Sequence, residues 1–217
     1  MFELILFDLD GTLTDSKEGI INCVKYALES FGIHEQNKET LLKFIGPSLY
    51  DSFSSIYGFS HEDAVLAVEK YRERYNDIGI FENSVYPDTE SVLKSLKNAG
   101  KRLALATSKP VVYANRVLEH FDISEYLDYK VGAEFDGTRS KKQEVIEEVL
   151  RLASPFDLTK TVMVGDRRHD ILGAKSCKIS SIGLRCGYAE KGELEDAGAD
   201  YIFENLSKMT EFILSNN

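Results

Sequence analysis

The sequence feature that most constrains the fold is a short apolar segment near the start of the chain that ends in two acidic residues. Residues 4–7 are continuously apolar, and Asp8, Asp10 and Gly11 follow directly. Such a run predicts a strand that is buried on both faces of a parallel sheet. Ligands bind at the carboxyl edge of such sheets, where both carboxylates are expected to emerge. Two acids this close repel each other, so the pair favours a divalent cation with oxygen ligands.

The composition indicates a soluble globular protein with a full hydrophobic core. Of the 217 residues, 43% are hydrophobic and 29% are charged, and these values are typical of neither disordered nor fibrous proteins. The formal net charge of −10 and the pI of about 5.0 disfavour a nucleic-acid polymer or an anionic membrane surface as partner. A small anionic substrate would therefore need a metal ion or local positive groups.

The cysteines and the apolar segments predict a reduced, cytoplasmic location. The three cysteines, Cys23, Cys177 and Cys186, have no paired spacing, which argues against a disulfide framework and against a structural zinc site. The first apolar segment lacks a basic leader and is interrupted by Asp8, and no other stretch approaches membrane length. We therefore expect neither a signal peptide nor a membrane span.

One long segment contains helical patterns only. Between residues 16 and 82 apolar residues recur at helical spacing, and a capping pattern at Ser60 predicts a helix that continues to Gly79. We interpret residues 16–82 as an inserted, all-helical cap domain. The flanking segments, 1–15 and 83–217, would form one discontinuous α/β core.

In the flanking segments, strand and helix patterns alternate. The predicted strands are residues 4–7, 102–107, 129–133, 161–165, 179–183 and 201–203. The predicted helices are residues 88–99, 110–120, 141–153 and 170–177. Alternation at these lengths predicts a Rossmann-like, doubly wound parallel sheet with helices on both faces.

Three of the predicted strands end in polar residues that would meet at one edge of this sheet. These residues are Asp8 and Asp10, Thr107 and Ser108, and the segment 165–170, which contains Asp166 and Asp170. A fourth element, the pair Lys141 and Lys142, begins a helix that could reach the same edge from the side. The combination of acids, a threonine and a lysine favours a catalytic site over isolated turn or capping residues.

This constellation resembles the haloacid dehalogenase superfamily, specifically its phosphatase branch with a helical cap after the first motif. Residues 8–13 resemble the first family motif, residues 106–110 the second, the lysine before residues 143–146 the third, and residues 165–170 the fourth. The resemblance therefore covers nearly the whole chain. It implies a Mg²⁺-dependent phosphatase that acts through an aspartyl-phosphate intermediate.

The resemblance also implies a role for each acidic residue. Asp8 would be the nucleophile that attacks phosphorus. Asp8, Asp166 and the backbone carbonyl of Asp10 would hold Mg²⁺, which removes the repulsion between carboxylate and phosphate. The Asp10 side chain would protonate the leaving oxygen and then deprotonate the attacking water. Asp170 would contact the metal indirectly, through other groups or water, and could also cap the helix that follows.

Phosphate binding is assigned to Thr107, Ser108 and one lysine. The Thr107 hydroxyl and the lysine would stabilise the charge on the transferring phosphoryl oxygens. Lys142 lies at the centre of the apolar stripe of its helix, whereas Lys141 points about one position aside. We therefore expect Lys142 to face the site.

Several other polar residues receive no catalytic role. We interpret Lys109 as a solvated loop lysine, and Arg72 and Arg74 as part of a solvated face of a cap helix. Arg185 and Cys186 lie in a loop after a predicted strand and are assigned no role. The cap therefore shows no basic cluster that would mark a second anionic group on the substrate.

The helical cap implies a small, soluble phosphate ester as substrate, because a cap of this type closes over the site. Residues 44–49 resemble the cap loop of phosphoglycolate phosphatase-like and bacterial 5′-nucleotidase sequences, and the sequence favours neither substrate. Two alternatives are a β-phosphoglucomutase-type phosphomutase of the same family and a receiver-like signalling domain that also uses acids, Thr, Lys and Mg²⁺. The receiver-like domain is disfavoured, because its phospho-acceptor would follow a middle strand of the chain, whereas Asp8 follows the first strand. No oligomeric state is predicted.

Overall fold

The apolar segment at residues 4–7 forms a central strand of a six-stranded sheet in the computed structural model, which describes residues 2–215. The strands, in chain order, are β1 (Leu4–Phe7), β2 (Thr14–Asp15), β3 (Ser84–Val85), β4 (Arg102–Pro110), β5 (Tyr129–Ala133), β6 (Thr161–Gly165), β7 (Ser180–Leu184) and β8 (Tyr201–Phe203). The large sheet has the order β5-β4-β1-β6-β7-β8, and all its neighbours are parallel. β2 and β3 form a separate two-stranded sheet.

Helices cover the large sheet on both faces. The helices of residues 2–215 are α1 (Lys17–Glu29), α2 (Lys38–Leu42), α3 (Leu49–Tyr57), α4 (His61–Tyr75), α5 (Thr89–Asn98), α6 (Val111–His120), α7 (Lys142–Leu152), α8 (Arg168–Ser176), α9 (Glu193–Asp196) and α10 (Leu206–Ser215). Leu4 and Leu6 pack with apolar residues of α7 and α8. Ile5 and Phe7, which point to the opposite face, are also fully buried, and α5 and α6 contact β4. The predicted doubly wound parallel sheet is therefore confirmed.

The chain forms two compact units. The core unit holds the chain up to Thr14 and from Val85 onward, and the cap unit is Asp15–Ser84. The sequence analysis placed the corresponding boundaries at 15/16 and 82/83. The core unit contains the six-stranded sheet with α5–α10, and the cap unit contains α1–α4.

The last cap helix is shorter than predicted. The Ser60 side chain accepts a hydrogen bond from the Asp63 N–H, as the capping pattern predicts. However, α4 ends at Tyr75, a 3₁₀ turn follows at Gly79–Phe81, and Ile78 is 54% exposed. The helix ends because Asn and Asp, which are poor helix formers, follow Tyr75.

Arg74 lies in a polar cluster of the cap unit, so its interpretation as a solvated residue was wrong. Its guanidinium donates to both carboxylate oxygens of Glu82, at 2.6 and 2.8 Å, and also to the Cys23 sulfur at 3.4 Å. The Asn22 amide donates to the same carboxylate at 3.3 Å. This bidentate pair lowers the pKa of Glu82 and ties the end of α4 to the segment that leaves the cap unit.

The end of the chain contains helices that the sequence analysis did not predict. Both α9 and α10 lie after β7, and α10 buries Leu206, Met209 and Ile213. β4 also continues to Pro110 instead of ending at Thr107, with an irregular register between Ala106 and Pro110. None of the helices in residues 2–215 is long and apolar enough to cross a membrane.

Candidate active site

Three carboxylates form a buried cluster at the carboxyl edge of the large sheet. Asp8 follows β1, Asp166 follows β6, and Asp170 lies in the first turn of α8. β1 and β6 are neighbours in parallel register, so their ends meet. One oxygen of each carboxylate lies within 4.8 Å of one oxygen of the other two, and all three residues are buried. Asp170 therefore belongs to the same buried cluster as Asp8 and Asp166, and its indirect contact with the metal stays a prediction.

Lys142 lies between two of these carboxylates. Its ammonium nitrogen is 3.0 Å from Asp8 Oδ1 and 2.8 Å from Asp170 Oδ1, and it donates to the backbone carbonyl of Ala106 at 3.0 Å. The ammonium group therefore lies between two carboxylates and one backbone carbonyl. The neighbouring Lys141 is exposed, so the apolar stripe of α7 identified which lysine faces this cluster.

For both Lys142 and Asp8, burial and ion pairing shift the pKa in opposite directions. Burial alone would lower the pKa of Lys142, but Asp170 and Asp8 outweigh it and raise this pKa above its usual value. Burial raises the pKa of Asp8 to about 6; Lys142 opposes that shift and Asp170 adds to it. Asp8 also accepts a hydrogen bond from the Leu9 N–H at 2.8 Å, which orients its carboxylate.

Asp166 is enclosed by two loops of the core unit, those after β1 and β7. The Thr12 hydroxyl donates to its Oδ1 at 3.2 Å, and the Tyr188 N–H donates to its Oδ2 at 2.7 Å. A Cβ atom at Gly11 or Gly187 would overlap the carboxylate, so both positions require glycine for the close approach. Burial, followed by repulsion from Asp170 and Asp8, raises the pKa of Asp166 well above its usual value.

The loop after β7 has a structural role at this site, which corrects the sequence analysis. Besides the Tyr188 N–H bond to Asp166, the backbone carbonyl of Cys186 accepts a hydrogen bond from the Tyr86 hydroxyl at 3.2 Å. Gly187 lies between these two contacts. The available signal was a glycine three residues after the end of β7, because a backbone donor leaves no side-chain signature.

Asp10 pairs with Lys109, so the interpretation of Lys109 as a solvated loop lysine was wrong. Lys109 Nζ lies 2.6 and 2.7 Å from the two carboxylate oxygens of Asp10, and its side chain is only 6% exposed. The Asp10 carboxylate therefore points to a different lysine from the one that binds Asp8. The available signal was a lysine two residues after Thr107, on the strand next to β1.

Asp170 also stabilises the start of α8. Its Oδ2 accepts a hydrogen bond from the Arg167 N–H at 3.1 Å. Arg167 is the N-cap and Asp170 is the third residue of α8, so the expectation that Asp170 itself caps the helix was wrong. Glu193 of α9 contacts the same turn, because it accepts from the Arg168 N–H at 2.8 Å and from Arg167 Nε at 2.9 Å. The turn that carries Asp166 and Asp170 is thus held from both sides.

Thr107 and Ser108 lie at the end of β4, which is next to β1 in the sheet. Thr107 is buried, and its hydroxyl oxygen accepts a hydrogen bond from the Lys109 N–H at 3.2 Å. Ser108 is half-buried. The residues predicted for the site therefore lie at strand ends, in the loops directly after them, or at helix starts, at one edge of the core unit.

Comparisons with known proteins identify relatives along most of the chain. A family model described as Haloacid dehalogenase-like hydrolase matches residues 5–184. A 5′-nucleotidase from Pseudomonas aeruginosa is 38% identical over 212 residues, which are 98% of this chain and 96% of that protein.

Two further comparisons differ in how much of the other protein they cover. The tyrosine-protein kinase PtkA of Mycobacterium tuberculosis is 36% identical over 86% of this chain, but the match spans only 63% of PtkA. The crystal structure of a predicted phosphatase from Clostridium acetobutylicum superposes with a TM-score of 0.95 at 41% identity, and covers 99% of both chains.

Proposed function

Because the chain belongs to the haloacid dehalogenase-like hydrolases, we propose that it is a Mg²⁺-dependent phosphatase of small, soluble phosphate monoesters. Asp8 would act as nucleophile and form an aspartyl-phosphate. The observation that carries this proposal is the placement of Asp8 against Lys142 within a cluster of three buried carboxylates. A carboxylate next to a cation and a group of possible metal ligands suits phosphoryl transfer through an aspartyl-phosphate.

The charge of the site supports a divalent cation. The edge of the sheet brings together four carboxylates and two ammonium groups, those of Asp8, Asp10, Asp166, Asp170, Lys109 and Lys142. Two negative charges are left over in a buried region, where uncompensated charge is costly. Oxygen ligands suit Mg²⁺, and Asp8, Asp166 and the Asp10 backbone carbonyl would hold it, with Asp170 beside them. When bound, Mg²⁺ would reduce the repulsion between the nucleophile and the phosphate.

Two proton-balanced steps would complete the reaction. In the first, a carboxylate oxygen of Asp8 bonds to phosphorus and the ester P–O bond breaks, while protonated Asp10 gives its proton to the leaving oxygen. In the second, water attacks the same phosphorus and passes a proton to Asp10, and the bond to Asp8 breaks to release inorganic phosphate. Lys142 and the hydroxyl groups of Thr107 and Ser108 would bind the phosphoryl oxygens throughout.

Two classes of substrate fit this proposal. The cap loop at residues 44–49 resembles phosphoglycolate phosphatase-like and nucleotidase sequences alike, whereas the Pseudomonas aeruginosa relative is a 5′-nucleotidase. Phosphoglycolate would also need a cation for its carboxylate, and Arg74 of the cap unit is already bound to Glu82. We therefore place nucleoside 5′-monophosphates beside phosphoglycolate as candidates. Values of kcat/KM for both, together with sugar phosphates, would rank them.

The direct test is the variant Asp8→Asn, assayed for phosphate release from p-nitrophenyl phosphate. We expect at least about a 10³-fold loss of kcat, because the nucleophile is removed. Asp196→Asn, which changes an exposed aspartate of the core unit, is the matched control and should keep the parent rate. Chelation should abolish activity and Mg²⁺ should restore it. An Asp8→Asn variant that is folded and as active as the parent would refute the mechanism.

A further inference from the structure

Lys109 is a buried lysine whose position is set by its own backbone. Its N–H donates to the Thr107 hydroxyl oxygen at 3.2 Å, and the next residue, Pro110, pairs with Ala133 in the β4–β5 ladder. These contacts fix the backbone at the irregular end of β4, from which the Lys109 side chain reaches Asp10. The two side chains are only 6% and 12% exposed, so water competes little for this ion pair.

Lys109 contacts both carboxylate oxygens of Asp10 and leaves further lone pairs on each oxygen. Lys109 Nζ lies 2.6 Å from Oδ1 and 2.7 Å from Oδ2, so both oxygens have the same cationic neighbour. Asp10 has a short side chain whose terminal torsion is broad, and an ammonium group on both oxygens restricts that torsion. In the proposed reaction Asp10 must present one oxygen to the leaving group, so its orientation affects the rate directly.

Lys109 and Lys142 contact different carboxylates of the site. Lys142 comes from the start of α7 and contacts Asp8 and Asp170, whereas Lys109 comes from the end of β4 and contacts Asp10. The nucleophile and the proton-transfer carboxylate thus each have their own ammonium group. Loss of Lys109 would leave the contacts of Asp8 with Lys142 in place.

We propose that Lys109 is a positioning residue for proton transfer: it orients the Asp10 carboxylate toward the leaving oxygen of the ester. This inference rests on the proposed phosphatase function. In the step concerned, the bond from Asp8 to phosphorus forms, the ester P–O bond breaks, and the proton of Asp10 moves to the departing oxygen. Lys109 exchanges no proton in this step; it fixes the direction in which Asp10 donates.

If Lys109 positions Asp10, the effect of removing Lys109 should depend on the leaving group of the ester. Nitrophenolate is a good leaving group that needs little protonation, whereas phenolate is a poorer one. General acid catalysis by a positioned group contributes about 10²–10⁴-fold where protonation matters. A residue that only orients the acid should therefore matter for phenyl phosphate and hardly for p-nitrophenyl phosphate, although the two esters have the same ring.

The experiment compares kcat/KM for these two esters in Lys109→Met, which keeps the length of the side chain without its charge. We expect at least about a 10-fold loss for phenyl phosphate and less than about 3-fold for p-nitrophenyl phosphate, with KM nearly unchanged. Lys109→Arg should recover part of the phenyl phosphate activity. Lys97→Met is the matched control, because it removes a lysine that lies 2.6 Å from Asp128 in the same unit; it should not change the ratio between the two esters.

A double variant identifies the partner through which Lys109 acts. If Lys109 works through Asp10, then Lys109→Met combined with Asp10→Asn should be no slower on phenyl phosphate than Asp10→Asn alone. Additive losses in the double variant, or equal losses on both esters, would overturn the inference. If Lys109→Met does not fold, the ratio of kcat/KM for the two esters is measured in Lys109→Arg instead. A ratio equal to that of the parent would then overturn the inference. A parent protein that releases no phosphate would instead refute the proposed function.

Discussion

Replacing Lys142 by methionine is the most demanding test of the buried charge cluster. The change keeps the aliphatic stem and removes the ammonium group, which contacts Asp8 at 3.0 Å, Asp170 at 2.8 Å and the Ala106 carbonyl at 3.0 Å. Breaking a buried ion pair by removing one partner costs about 3–5 kcal/mol. In the absence of a divalent cation we therefore expect the free energy of unfolding to fall by about 3–5 kcal/mol at neutral pH.

The same variant should also lose activity. Removing one preorganised group that stabilises developing charge costs about 10²–10³-fold in kcat, so we expect a loss of this order for p-nitrophenyl phosphate. Stability is measured by urea unfolding, followed by far-ultraviolet circular dichroism because the chain has no tryptophan. Lys141→Met, which changes the exposed neighbour on the same helix start, is the control. If the two variants unfold at the same urea concentration and have the same kcat, the buried cluster does not have the energetic role derived from these distances.

Two more variants test the core and the cap separately. Gly187→Ala should reduce Mg²⁺-dependent activity by at least about 10-fold, because the new Cβ would displace the Asp166 carboxylate; parent-like activity at every Mg²⁺ concentration would contradict this. Glu82→Gln should lower the free energy of unfolding by about 1 kcal/mol at pH 7. Because Arg74 lowers the pKa of Glu82 in the folded state, this contribution is fully present above the unfolded pKa and is lost as the pH falls through the folded pKa. The difference from the parent should therefore shrink in acid, and a difference that grows there would refute the assignment.

Features with a regular period were readable from the sequence. The continuous apolar run at residues 4–7 predicted a strand buried on both faces, and the structure confirms it as β1. The spacing of apolar residues in α7 distinguished Lys142 from Lys141, because a helix turns its residues by a fixed angle. The edge at which Asp8 and Asp166 lie follows from the parallel order of the strands.

Features set by irregular backbone were not readable in the same way. Lys109 lies near the end of β4, where the strand register is irregular, so no period predicts where its side chain points. Arg74 binds Glu82 across a 3₁₀ turn, at a separation of eight residues that no helical pair explains. Tyr188 acts through its backbone N–H, which every residue except proline has. In each of these cases, tertiary structure determines which group the residue contacts.

The enclosure of Asp166 has a consequence for how the protein is made. Thr12 and Asp166 are 154 positions apart in the chain, and the third element, Tyr188, follows Asp166 by another 22 positions. Pairings of such long range form slowly, since the entropy of closing the loop must be overcome first. On the ribosome, Asp8 emerges before Asp166, but the contacts that surround Asp166 form only after β7 and the loop that follows it have left the exit tunnel. A nascent chain that stops before Tyr188 would carry every acidic residue of the site and still lack the contacts that hold Asp166 in place.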